Sequence, residues 1–257
     1  VRIVDEIAKT NPDLIKLMIT GGILDAKVKG EPGVLRMSPD IVKACCEEAH
    51  KLGFKVAAHV ESPQGVTVAL EGGVDTIEHG GSVTDHEIEL FKKNGSAHIL
   101  TISPVIPLCF FPPEKSGGTE LHRINGEVVF EGMLQCAKTC LDNGIPVGLG
   151  TDTACPYVTH YDMWRELMYF HKYLGASNSM AIHTATMVNA KIAQIDDITG
   201  SVEKGKSADF MVVEGNPLEN LENLRNPKMV VLRGKIVKNP KVKKYAYVEE
   251  ELDKYMH

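Results

Sequence analysis

Five short apolar runs recur in the first 151 residues, each parted from the next by a longer amphipathic stretch, and that alternation restricts the chain to few architectures. The runs are LIKLMI (14–19), KVAAHV (55–60), VDTIEH (74–79), AHILTI (97–102) and PVGLGT (146–151), which have the length and composition of buried strands. Between them lie SPDIVKACCEEAHKLG (38–53), SPQGVTVALEGG (62–73), TDHEIELFKKNG (84–95) and GEVVFEGMLQCAKTCLDNG (126–144), which read as helices. Most open on Ser, Thr or Gly and close on Gly, as helix caps do. Apolar strands alternating with helices imply a parallel sheet covered by helices, so the chain is of the α/β class. Alternation alone does not separate an open doubly wound sheet from a closed barrel.

After a further helix, MAIHTATMVNAKIAQI (180–195), the pattern changes. Residues 201–257 hold short β runs broken by Gly and Asn-Pro turns, with no helix of length between them, and LRGKIV is a hairpin signal. The expected division is a β/α domain over 1–200 and a small β domain over 201–257. A net charge of −6 offers no basic footprint for nucleic acid or an anionic membrane, so the expected partner is a small molecule. No apolar stretch reaches the roughly 18 to 20 residues of a membrane span. The six cysteines lack a paired metal-binding spacing, which is expected of reduced thiols in the cytoplasm. The chain opens on Val1, in what reads as a helix running into a strand, so it looks joined in mid-fold.

Four ionisable residues stand in or at the C-terminal ends of four different strands: Lys16 in LIK, His59 in AAH, His79 in IEH and Asp152 in GTD. In parallel β/α folds that rim is where the loops converge and active sites are built. Singly, Lys16 has a solvent-reaching alternative and Asp152 a helix-capping one. Together, two imidazoles and a carboxylate suit zinc or a similar divalent cation, which lowers the pKa of bound water to about 7 and polarises a carbonyl oxygen. Asp152 would carry a proton from the water to the leaving nitrogen. Lys16, as a neutral amine, would react with carbon dioxide to give a carbamate able to bridge two metals.

At these residues the sequence resembles the amidohydrolase superfamily, in its prolidase and arginine or lysine carboxypeptidase-like branch, near the imidazolonepropionase-type enzymes. IKLMITGG is similar to the carboxylated-lysine strand, AAHVES and DTIEHGG to strands bringing two histidine ligands, and GLGTDT to the eighth strand with its aspartate. IHTATMVNAKIAQIDDITGSVEKGKSADFMVVEGNPLENL is similar to the family's last helix and its return into a β-sandwich. The resemblance implies a (β/α)8 TIM barrel, of which residues 1–200 would supply strands four to eight, and a small β-sandwich domain. It implies one or two divalent metal ions, zinc first among them, with Lys16 as the carbamylated bridge, His59 and His79 as ligands, and Asp152 as ligand and general base. The family's HxH pair on its first strand has no counterpart between 1 and 257.

The implied activity is metal-dependent hydrolysis of an amide or peptide C–N bond in a small substrate, a dipeptide or N-acyl amino acid. Alternatives are cyclic amide hydrolysis of the imidazolonepropionase type, a mononuclear site without the carbamate, or a catalytically inactive fragment or binding protein; a homo-oligomer stays open. Residues 103–125 read as a long Pro- and Gly-rich loop, with His122 and Arg123 as candidates for a substrate carboxylate. Tyr157, with His160 and Tyr161, is a candidate for the pocket lining.

Overall fold

The structure, a computed structural model, describes residues 1–238, 240 and 242–256. Two compact units divide the chain: Val1–Leu100 with Leu108–Val147, and Thr101–Pro107 with Gly148–His257.

In chain order the first part runs α1 (Arg2–Ala8), β1 (Leu14–Met18), α2 (Pro39–Lys51), β2 (Lys55–Val60), α3 (Pro63–Gly72), β3 (Thr76–His79), α4 (Asp85–Asn94), β4 (Ala97–Leu100), α5 (Val105–Phe110), α6 (Pro113–Ser116), α7 (Glu120–Asp142) and β5 (Val147–Leu149). The strands form one sheet in the order β1-β2-β3-β4-β5, with parallel registers from β1 to β4. Sequential parallel strands with a helical connection between each pair are the repeating unit of a (β/α)8 barrel. Local chemistry sets the helix starts. Pro63 opens α3 behind Ser62, whose hydroxyl accepts from Gly65 N at 3.2 Å, and Thr84 and Glu87 form a capping box on α4.

Parity along the strands sorts the side chains. Ile15 and Leu17 of β1, Val56, Ala58 and Val60 of β2, and Ile77 of β3 are buried on the helix-covered face, while Leu14 and Met18 on the opposite face of β1 are exposed. In register, Lys16 aligns with Ala57 and Thr76, and Met18 with His59 and Glu78. Lys16, His59 and Glu78 therefore share the face opposite the helices.

Residues 103–125 are not the loop that their prolines suggest. They form α5, α6 and the first turn of α7, and Val105, Ile106, Leu108, Cys109 and Phe111 are buried. Pro107 and Pro113 sit in first helical turns, where the missing N–H costs nothing, so the breaker signal misleads. Helix α7 accordingly begins at Glu120, six residues before the expected start at 126, behind a Thr119 cap that accepts from His122 N at 3.2 Å.

The second unit holds α8 (Met163–Leu174), α9 (Asn178–His183), a π-helical turn (Thr184–Val188), α10 (Asn189–Ile192), β6 (Phe210–Val212), a 3-10 turn (Leu221–Leu224), β7 (Met229–Leu232), β8 (Lys235–Lys238) and α11 (Ala246–Asp253). Strands β6, β7 and β8 make a small antiparallel sheet. The expected LRGKIV hairpin is present: Leu232 pairs with Lys235 across Arg233 and Gly234, both at positive φ, as a two-residue turn requires. The Asn-Pro turn at 239–240 includes residue 239, which lies outside the described residues. Helix α11 corrects the all-β reading of the tail; it is short and rich in glutamate, and only Val248 and Leu252 give it an apolar stripe. Asn189, directly after the π-helical turn, accepts from Leu149 N at 2.9 Å and donates to Leu149 O at 2.8 Å.

Glu166 of α8 is fully buried and accepts from Ile102 N (2.7 Å), Ser103 N (2.8 Å) and Ser103 Oγ (2.5 Å). Burial pushes its carboxyl up to about 7, although those hydrogen bonds pull the other way. The folded state thus binds this proton more tightly than the unfolded chain. Its contribution is complete below the unfolded value near 4.5 and is lost as pH rises through about 7, a change of about 3 kcal/mol. Glu166→Gln is expected to flatten the pH dependence of unfolding by denaturant across that window; an unaltered slope would refute the assignment.

Candidate metal centre

The site grows from β2 and β3. His59 and Glu61 are two residues apart at the end of β2, and in extended chain that spacing puts both side chains on one side. Glu61 Oε1 lies 3.8 Å from His59 Nε2. Its other oxygen accepts from Ile23 N at 2.8 Å, and its own N–H donates to Thr20 Oγ1 at 3.0 Å. Gly22 leaves the room this needs: a Cβ there would stand 2.9 Å from both carboxylate oxygens.

His79 reaches the same point by a different route. The register pairs it with Val60, so regular strand geometry would send it to the helix-covered face. Its φ is instead +68°, in the left-handed region, and Gly80 N–H closes a three-residue turn onto Glu78 O at 3.0 Å while also reaching Val60 O at 2.8 Å. The imidazole is thereby turned against His59, edge to face, with ring centroids 4.7 Å apart. Burial holds His79 well below the ordinary histidine value, helped by the neighbouring His59, Lys16 and His98. It is a neutral donor at pH 7.

Among the described residues, one group of donors is arranged for a metal: His59, Glu61 and His79, whose ligand atoms lie within 4.8 Å of one another. Two imidazoles and a carboxylate are the chemistry zinc accepts, so the residues fit the ion. Lys16 stands on the same face; its Nζ is 3.9 Å from Glu78 Oε2, and Glu78 Oε1 accepts from Thr76 Oγ1 at 2.6 Å.

The structure thus brings Lys16, His59 and His79 onto adjacent strands of one unit. Asp152 belongs to the second unit, at φ +49°, and accepts from Cys155 Sγ at 3.3 Å. It caps no helix, since α8 starts at Met163 behind Asp162. Tyr157, at φ +66°, sets its ring edge-on to Tyr247 at 6.2 Å. His122 and Arg123 lie on the first turn of α7: His122 Nδ1 accepts from Thr119 N at 3.3 Å, and Arg123 pairs with Glu120 at 2.6 Å and with Glu127. Glu61 is the donor that the sequence reading missed. Its only signal was the His-x-Glu spacing in HVES.

The profile of the amidohydrolase family matches residues 3–237. The chain belongs to that family. Among solved structures, a protein assigned as a prolidase from Bifidobacterium longum is 38% identical, with a TM-score of 0.92 over 98% of this chain and 62% of its own. A Xaa-Pro dipeptidase with methionine bound in its active site is 30% identical, with a TM-score of 0.78 over 90% of this chain and 56% of its own. These place this amidohydrolase in the prolidase-like branch. Among curated proteins, ochratoxinase of Aspergillus niger is 28% identical over 232 residues, 88% of this chain and 46% of its own. The chain spans about half the length of the curated relatives it matches. No helix among the described residues is long and apolar enough to cross a membrane.

Proposed function

We propose that this amidohydrolase hydrolyses an amide or peptide C–N bond of a small substrate, a dipeptide or N-acyl amino acid, using one or two divalent metal ions, zinc first among them. The observation that carries the reading is the convergence of His59, Glu61 and His79, in a chain whose relatives include a dipeptidase. When bound there, the ion supplies an acidified water and polarises the scissile carbonyl. The chain's own residues do the rest. His59 and His79 donate through their imidazole nitrogens, and Glu61 is held in place by Ile23 N. Asp152, assigned by its GLGTDT motif, takes the proton of the attacking water and returns it to the leaving nitrogen.

Lys16 is assigned the carbamate. Its amine would attack carbon dioxide, forming an N–C bond and releasing a proton, and Glu78 is the nearby carboxylate that favours the competing ammonium. Tyr157 is kept as pocket lining and His122 and Arg123 as substrate contacts, although the two glutamates already engage Arg123. The reading treats 1–200 as barrel and 201–257 as the small β domain. Its setting is the cytoplasm, where the six free cysteines stay reduced, and its partner is a small molecule rather than nucleic acid or lipid.

The test is turnover of a dipeptide and N-acyl amino acid panel by the zinc-loaded protein, with Asp152→Asn alongside. Asparagine keeps the shape and loses the base, and turnover is expected to fall on the order of 10²-fold or more. Undiminished turnover in that variant would remove the mechanism.

A further inference from the structure

We propose that His98 is a positioning residue of the metal centre: its ring N–H, bonded to the His79 carbonyl, fixes the left-handed backbone that turns the His79 imidazole toward His59. The inference rests on the reading of His79 as a metal ligand and adds the device that aims it.

His98 sits in β4, in register with Ile77, on the helix-covered face, and is wholly buried. Its Nε2 is 2.7 Å from His79 O. A carbonyl oxygen only accepts, so Nε2 carries the proton and donates. Nδ1, equally buried, has no hydrogen-bond partner among the described residues. Leucine would fill the same space without burying that nitrogen, so the bond to His79 O is what an imidazole adds here. The restraint answers a specific need. A non-glycine residue in the left-handed region is strained by about 1 to 2 kcal/mol, and relaxation to regular strand geometry would carry His79 to the Ile77 side of the sheet, away from His59. Gly80 completes the fit: at φ +98° it follows the turn, and a Cβ on it would stand 2.9 Å from His98 Nε2. Histidine at 98 and glycine at 80 are therefore one arrangement, packed behind the ligand.

The experiment compares His98→Gln, His98→Asn and His98→Leu in the intact chain, by zinc affinity in chelator competition and by the visible spectrum of the cobalt-loaded protein. Glutamine places an amide N–H near the Nε2 position; asparagine is too short to reach the carbonyl and leucine has no donor. Zinc affinity is expected to fall about 10- to 100-fold in the Asn and Leu variants, with an altered cobalt spectrum, and to be largely restored in the Gln variant. If His98→Leu does not fold, the Gln and Asn variants decide alone. Equal affinities and unchanged spectra across the variants, while His79→Asn loses zinc, overturn the positioning role and leave the ligand standing. Full zinc affinity in His79→Asn removes both.

Discussion

Replacing His59 with alanine and His79 with asparagine together is expected to lower zinc affinity about 10⁴-fold. Zinc held by a full set of protein ligands is bound by about 10 to 16 kcal/mol, so two ligands account for about 6 kcal/mol, or some four decades. Asparagine is the right substitute at 79 because it tolerates φ +68° better than alanine, which keeps backbone strain out of the result. The loss should appear in competition with a chromophoric chelator, while the metal-free variant unfolds within a few degrees of the parent. Glu61→Gln should then show a smaller loss, since the amide oxygen still offers one donor. If the double variant holds zinc within threefold of the parent, the ion binds elsewhere.

The second large effect concerns the inside of the second unit. Arg165 of α8 is 1% exposed, yet its guanidinium faces three carboxylates: Nη1 lies 2.7 Å from Asp253, Nη2 3.2 Å from Glu249, and Nε 3.4 Å from Asp162. Arg225 joins through Glu249 at 2.6 Å and Asp253 at 2.9 Å, and both guanidiniums lie over the Trp164 ring, at 4.5 and 5.0 Å. Arg165→Met removes one cation, leaving Glu249 and Asp253 to Arg225 and taking from Asp162 its arginine, so destabilisation of about 3 to 5 kcal/mol is expected, and a melting temperature lower by about 10 °C. Adding Glu249→Gln and Asp253→Asn to Arg165→Met should recover part of that loss, because removing a buried set costs less than breaking it. A triple variant less stable than Arg165→Met alone would show that the acids act independently of Arg165.

The β/α alternation was legible because apolar runs and their caps are local signals; Lys55–Val60 coincides with its expected strand residue for residue. Strand ends were read too long at 101–102 and 150–151, since an apolar run does not show where pairing stops. Lys16, His59 and His79 could be singled out by their place in those runs. The way His79 joins His59 could not, because strand parity argues against it and the sign of a backbone angle at a histidine has no sequence signature. His98 was hidden for a related reason: a histidine inside an apolar strand reads as packing until the carbonyl it serves is known. Helix α5 and helix α11 were missed where the strongest local signals, prolines in one and glutamates in the other, pointed away from structure set by burial of a few side chains.

The two hydrogen bonds between the Asn189 amide and Leu149 have a consequence for how β5 is held. A carboxamide presents one acceptor and one donor at the spacing of a peptide group, so it imitates a single residue of a neighbouring strand and then stops. Both backbone groups of Leu149 are thereby engaged by one side chain, and the end of β5 is tied to the start of α10.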